Sequence, residues 1–197
     1  MDFIEIAKNA KTASIKAQKL SNDVKNSALT KIAECLEAHK SEVFDANKQD
    51  MTEAKALLDS GEISQAIYNR LKLDENKMRD MIQGLIDISK LPDPVNKKLM
   101  ERELDEGLVL TKVSCPIGVL GIIFEARPDV ISQISALAIK SSNAVILKGG
   151  KESTNTNKAI LGIINSALDT IEGFPKHMLN QVFSRDDVKE MLSADKY

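Results

Sequence analysis

From residue 117 onward the chain alternates short apolar runs with helical segments, and this alternation most constrains the fold. Ile117–Phe124, Ala144–Leu147 and Leu179–Phe183 read as strands, the first as a buried, β-branched one. Between and after them, 130–141, 154–171 and 186–192 carry helical apolar spacing. Strands alternating with helices predict βαβ units and a parallel sheet.

The ninety residues before this region read differently. Ser21 is placed to cap a helix bearing Val24, Ala28, Leu29, Ile32 and Leu36, and Ser41 to cap the next, which Gly61 ends. A shorter helix is expected near residues 63–71, and Asp74 caps a segment bearing Met78, Met81, Ile82, Leu85 and Ile88. Leu91-Pro92-Asp93-Pro94 stops the helices, because each proline lacks an N–H and restricts the residue before it. Residues 99–104 and 108–113 then read as a hairpin around Asp105-Glu106-Gly107.

The expected fold is therefore α/β: N-terminal helices, a protruding β-hairpin, and a partial parallel βαβ sheet. The expected organisation is a helical segment over 1–92, a linker and hairpin over 93–115, and a partial βαβ core over 116–197.

Composition removes several function classes. The 197 residues carry a formal charge of −2 with lysines and arginines dispersed among acids, so no basic stripe for nucleic acid is expected. The most apolar stretch, 117–124, is too short to span a bilayer. Two cysteines, Cys35 and Cys115, make no disulfide framework. His39 and His177 are single and distant, so no metal site is expected. A soluble, reduced, cytoplasmic protein is the expectation.

Chemistry concentrates between Cys115 and Asn157. The first strand runs into Glu125-Ala126-Arg127-Pro128, with Asp129 placed to cap the helix that follows. The C-terminal ends of parallel strands are where α/β sheets bind ligands. Arg127 offers a planar fork of donors to phosphate or carboxylate, or else pairs with a structural carboxylate. The second strand ends in Lys148-Gly149-Gly150-Lys151. Two glycines let backbone approach a ligand, two lysines supply charge, and the next helix opens near Ser153 with its N-terminal dipole, which suits a nucleotide. Neither a GxGxxG nor a GxxxxGK[ST] pattern occurs.

The segments PIGVLGIIFEARPDV (116–130) and ALAIKSSNAVILKGGKES (136–153) together resemble the hallmark region of the γ-glutamyl phosphate reductase family, within the aldehyde dehydrogenase superfamily. The likeness extends along nearly the whole chain, through ALTKIAECLEAHK (28–40), the step Ala46, Asn47, Asp50, the step Arg70, Leu71, Leu73, and LPDPV. Ser142 stands where that family has glycine, with a small local effect expected.

The resemblance implies an aldehyde-dehydrogenase-type cofactor sheet and NADPH-dependent reduction of L-glutamyl 5-phosphate to glutamate 5-semialdehyde and phosphate, a step of proline biosynthesis. By the same resemblance Lys148 contacts the adenosine ribose and Lys151 discriminates at its 2′ group in favour of NADP(H). Glu125, Ala126, Gly149 and Gly150 complete the cofactor residues, and Arg127 meets the substrate's phosphate or carboxylate. The family's catalytic cysteine lies further along, in a catalytic domain, so no catalytic residue is expected here and the chain alone is expected to be inactive. The alternative is a non-catalytic binding or interaction module of the same fold. L-Glutamyl 5-phosphate is the implied partner, with a homo-oligomer and coupling to glutamate 5-kinase left open.

Overall fold

The computed structural model describes residues 2–197. Five helices come first: α1 (Phe3–Ala17), α2 (Asn22–Ala38), α3 (Lys40–Asp59), α4 (Gln65–Leu71) and α5 (Glu75–Lys90). Ser21, Ser64 and Asp74 cap α2, α4 and α5, each side chain accepting a backbone N–H three residues on. Ser41 does not cap α3. The break between α2 and α3 is the single residue His39, whose imidazole lies 2.9 Å from the Cys35 carbonyl, so Ser41 is already inside the helix. Gly61 ends α3 as expected, at φ +78°, with the Glu62 N–H reaching the Leu57 carbonyl.

After Pro92 and Pro94 the chain forms the hairpin, β1 (Lys98–Asp105) against β2 (Leu108–Val113), with Gly107 at φ +73° in the turn. Every residue of both strands is exposed, including Leu99, Leu104, Leu108 and Leu110. A cluster of buried or half-buried groups fastens the hairpin's root. Lys25 on α2, only 1% exposed, pairs with Asp93 at 2.7 Å. Lys140 donates to the Asn22 and Asn26 side chains and the Ser89 carbonyl. Burial pushes the Asp93 carboxyl up, but its bonds to Lys25 and to the Val95 N–H outweigh that and hold it below its ordinary value. Burial, with Lys25 nearby, lowers Lys140.

The remainder reads β3 (Val119–Ile123), α6 (Val130–Lys140), β4 (Ala144–Lys148), a 3-10 turn (Lys151–Ser153), α7 (Thr154–Asp169), β5 (Leu179–Gln181) and α8 (Arg185–Leu192). The three strands form a parallel sheet in the order β3-β4-β5. Ala144–Leu147 is the buried centre, as its run of small and branched apolar residues predicts.

Residues 117–124 are not the buried strand their composition suggests. β3 is an outer strand with β4 as its one neighbour, Ile117 is 80% exposed and Ile123 52%. An apolar run records a surface that some chain covers, and here only part of it is covered.

One apolar cluster joins helices and sheet. α1 lays Phe3, Ala7, Ala10 and Ala17 inward and packs on β4, while α2 sits against both α5 and α7. No helix among the described residues is long and apolar enough to cross a membrane.

Candidate functional site

Parallel pairing puts Ile123 opposite Lys148, and the Phe124 N–H donates to the Lys148 carbonyl at 3.0 Å. The turn Glu125–Pro128 and the turn Lys148–Lys151 therefore leave the sheet side by side at the C-terminal ends of adjacent strands. The structure brings all seven sequence-predicted site residues to one edge. Glu125, Arg127 and Lys151 are exposed, Lys148 and Gly150 half-buried, Ala126 and Gly149 buried.

A residue the sequence reading passed over ties the two turns together. Glu152 accepts the Ala126 N–H at 3.0 Å, across 26 positions of sequence. Ala126 is 2% exposed at φ +48°, a strained backbone for a residue with a Cβ, and the Glu152 bond helps hold it. The two glycines also have an internal use. A Cβ on Gly150 would lie 2.0 Å from the Glu152 carboxylate, and one on Gly149 2.2 Å from the Asn157 amide. They admit the protein's own side chains to the turn.

The dipole of α7 is engaged as well. Asp50 of α3, 2% exposed, accepts the Asn155 N–H at 3.0 Å, the Thr156 N–H at 2.7 Å and the Thr156 hydroxyl at 2.6 Å. Asn47, one turn earlier, donates to the Leu71 carbonyl and accepts the Leu73 N–H. Their i, i+3 spacing on one helix face was the visible signal, with nothing in sequence to say what the face meets. An anion at α7 would compete with a buried carboxylate for those amides, so the helix end reserved for a nucleotide is filled from within.

The N-terminus of α8 is self-capped too, by reciprocal bonds between Ser184 and Asp187. The Ser184 N–H, foremost, holds the Asp187 carboxyl below its ordinary value, and the nearby charge of Lys148 adds to that.

Cations remain for an anionic ligand. Among the described residues the ammonium of Lys148 bonds only to its neighbour, the Gly149 carbonyl, at 2.7 Å. Lys158 of α7 sits 4.8 Å from the centre of the ring of Phe183, which follows β5, a cation–π contact. These groups and the exposed Lys151 fit the charge of a nucleotide.

Asp129 does not cap α6. It stands at the N-cap position in helical geometry with no side-chain cap bond, and its carboxylate takes the Arg127 guanidinium at 2.9 Å instead. Arg127 remains 56% exposed. Neither cysteine approaches this edge: Cys115 precedes β3 at its opposite end, and Cys35 lies in α2.

No protein-family model matches the chain. Its fold is that of the aldehyde dehydrogenases, shared at a TM-score of 0.72 and 16% identity with methylmalonate-semialdehyde dehydrogenase from Oceanimonas doudoroffii, over 98% of this chain and 36% of that one. Within that fold, the chain is related throughout its length to the N-terminal portion of the gamma-glutamyl phosphate reductases. It is 57% identical over all 197 residues to gamma-glutamyl phosphate reductase of Brachyspira hyodysenteriae, covering 46% of that protein. The crystal structures of gamma-glutamyl phosphate reductase from Saccharomyces cerevisiae and Thermotoga maritima superpose at TM-scores of 0.91 and 0.93, with 39% and 31% identity. All of this chain is covered in each, against 49% and 47% of theirs. The chain thus spans about half the length of the curated relatives it matches.

Proposed function

We propose that this chain is the cofactor-binding half of a gamma-glutamyl phosphate reductase, a cytoplasmic enzyme of proline biosynthesis that reduces L-glutamyl 5-phosphate with NADPH. Residues 116–197 form the dinucleotide-binding core and 1–92 its helical flank. The observation that carries the reading is the adjacency of the Glu125–Pro128 and Lys148–Lys151 turns at the ends of β3 and β4, in a chain 57% identical to such a reductase. A nicotinamide cofactor supplies hydride in this chemistry. The residues here bind and orient. Lys148 holds the ribose, Lys151 favours the 2′-phosphate of NADP(H), and Arg127 meets an anionic group of the substrate. With both helix N-termini capped by carboxylates, side-chain ammonium groups supply the recognition.

A second reading is supported by the position of the cysteines, since no thiol of this chain lies at the edge where Arg127 stands. On that reading the chain by itself binds without catalysing.

Titration of NADPH fluorescence tests the first reading. Lys148→Ala is expected to weaken NADPH binding about 10- to 100-fold, the range of a lost charge-assisted bond. Lys151→Ala is expected to cost NADPH more than NADH. Unchanged affinity in the first variant removes the cofactor site, and equal losses in the second remove the NADP preference. Turnover of glutamyl phosphate by the 197-residue chain alone would remove the second reading.

A further inference from the structure

A cavity of about 500 Å³ opens beside the Glu125–Pro128 turn, lined by Arg70, Lys77, Arg127 and Asp129. Three elements converge on it. Arg70 comes from the last turn of α4, Lys77 from the first turn of α5, and Arg127 with Asp129 from the turn between β3 and α6. Two guanidinium groups and an ammonium face one carboxylate, so the lining presents both signs of charge to a ligand.

The groups differ in how free they are. The Lys77 ammonium is spent on the Lys72 and Arg70 carbonyls, at 2.5 and 3.2 Å, closing the end of α4. Lys77 thus contributes field and shape. Arg127 uses one nitrogen on Asp129 Oδ2 and keeps the rest of its fork toward the open side. Arg70 is exposed, with a side chain that makes no ion pair among the described residues. Asp129 is 14% exposed, and its Oδ1 has no hydrogen-bond partner among them.

We propose that this cavity receives the head group of an α-amino acid, its carboxylate on Arg127 and Arg70 and its ammonium on Asp129 Oδ1. Guanidinium matches a carboxylate in plane and in spacing, and a partly buried free carboxylate oxygen matches an ammonium. A bare phosphate would satisfy the cations but would be repelled by Asp129, so the pairing of signs selects a zwitterion over a simple anion. The proposal deepens the reading that Arg127 meets an anionic substrate group, naming that group as the α-carboxylate and leaving the acyl phosphate to the cofactor side.

The test is a set of titrations on the 15N-labelled chain, followed through the backbone amides of 70, 77, 126, 127 and 129. The probes are L-glutamate, glutarate, which lacks the ammonium, and inorganic phosphate. L-Glutamate is expected to shift these amides together, with glutarate and phosphate at least about 10-fold weaker. Arg127→Gln is expected to abolish the shifts. Asp129→Asn is expected to weaken L-glutamate about 10-fold while leaving glutarate as it was or tighter. Both residues are near the surface, and an otherwise unchanged spectrum reports that each variant folds. Phosphate or glutarate binding as well as L-glutamate would overturn the proposal, as would L-glutamate shifts that survive Arg127→Gln. NADPH added to the same samples separates the two readings. Nucleotide shifts at 148–151 without L-glutamate shifts overturn the head-group site alone. L-Glutamate shifts without nucleotide shifts support it while removing the cofactor site.

Discussion

The strands β2 and β4 begin from similar material and end in opposite surroundings. β2 opens Leu108-Val109-Leu110 and is exposed along its whole length, whereas β4 runs Ala144-Val145-Ile146-Leu147 with none of the four more than 2% exposed. Their neighbours make the difference. β4 lies between two parallel strands, with α1 and α6 packed on it, while β2 pairs with β1 and nothing else of consequence. Branched apolar residues favour an extended backbone in both places. Only the topology decides which run enters the core.

The largest effect should come from breaking that contrast directly. Leu147→Ala is expected to cost about 2–5 kcal/mol in urea unfolding, and Leu110→Ala less than about 0.5 kcal/mol. Comparable losses would mean that the hairpin is packed against something in solution.

The next largest effect lies at the hairpin's root, where the exposed arm meets the buried core. Asp93→Ala leaves the buried Lys25 ammonium without its counter-ion, with the Lys140 carbonyl as its remaining partner among the described residues, and is expected to cost about 2 kcal/mol. Lys25→Met combined with Asp93→Leu should recover most of that, because the uncompensated charge is gone. The folded Asp93 carboxyl ionises more readily than an unfolded one. Its contribution is thus complete above the ordinary carboxyl value of about 4 and is lost as pH falls through the lower folded value. Wild type should lose stability on that acid side more steeply than the double variant, and equal slopes would discount the pair.

A smaller effect contrasts the entries to the two strands. Gly107 supplies the left-handed turn of the hairpin, but the left-handed residue before β4 is Ser142, at φ +56°. It closes α6, with its N–H on the Ile139 carbonyl and the Asn143 N–H on that of Ala138, a helix end that favours glycine. The Ser142 hydroxyl is buried without a partner among the described residues. Ser142→Gly is expected to stabilise the chain by about 1 kcal/mol, read as a higher thermal midpoint. A loss would show that the hydroxyl is satisfied after all.

The smallest change in stability should accompany a visible change in association. Leu108→Ser with Leu110→Ser should shift unfolding by less than about 0.5 kcal/mol while reducing self-association in light scattering, since unpaired apolar strands attract one another. If wild type scatters as a clean monomer at high concentration, the exposed arm is not an adhesive surface.

Local signals were legible where local physics decides the outcome. Ser21, Asp74, Gly61 and Gly107 act within a few residues of themselves, and each does what its side chain or lack of one predicts. Both turns of the candidate site were visible for the same reason. What sequence withheld was partnership at a distance. Asp50 meets Asn155 and Thr156, Glu152 meets Ala126, and Asp129 turns to Arg127 instead of capping α6. In each case a carboxylate chose among several nearby donors, and only the packed geometry fixes which is nearest. The expectation that α7 offers its N-terminus to a nucleotide failed on that point, while the lysines flanking the turn kept their availability.

The packing of α1 on β4 has a consequence for how the chain is made. Helix α1 carries a face of Phe3, Ala7, Ala10 and Ala17 whose cover, Ala144–Leu147, lies roughly 130 residues later in the chain and so is synthesised well after it. At a synthesis rate of about 5–20 residues per second, that face waits on the order of 10 s before its partner exists. The wait is tolerable because the face is mostly alanine, small enough to stay in water without seizing another surface. Lengthening those alanines to leucine would fill the same groove in the finished fold poorly and would make the newborn helix prone to aggregation during the interval. The small side chains of α1 thus suit a segment that is made well before the strand that covers it.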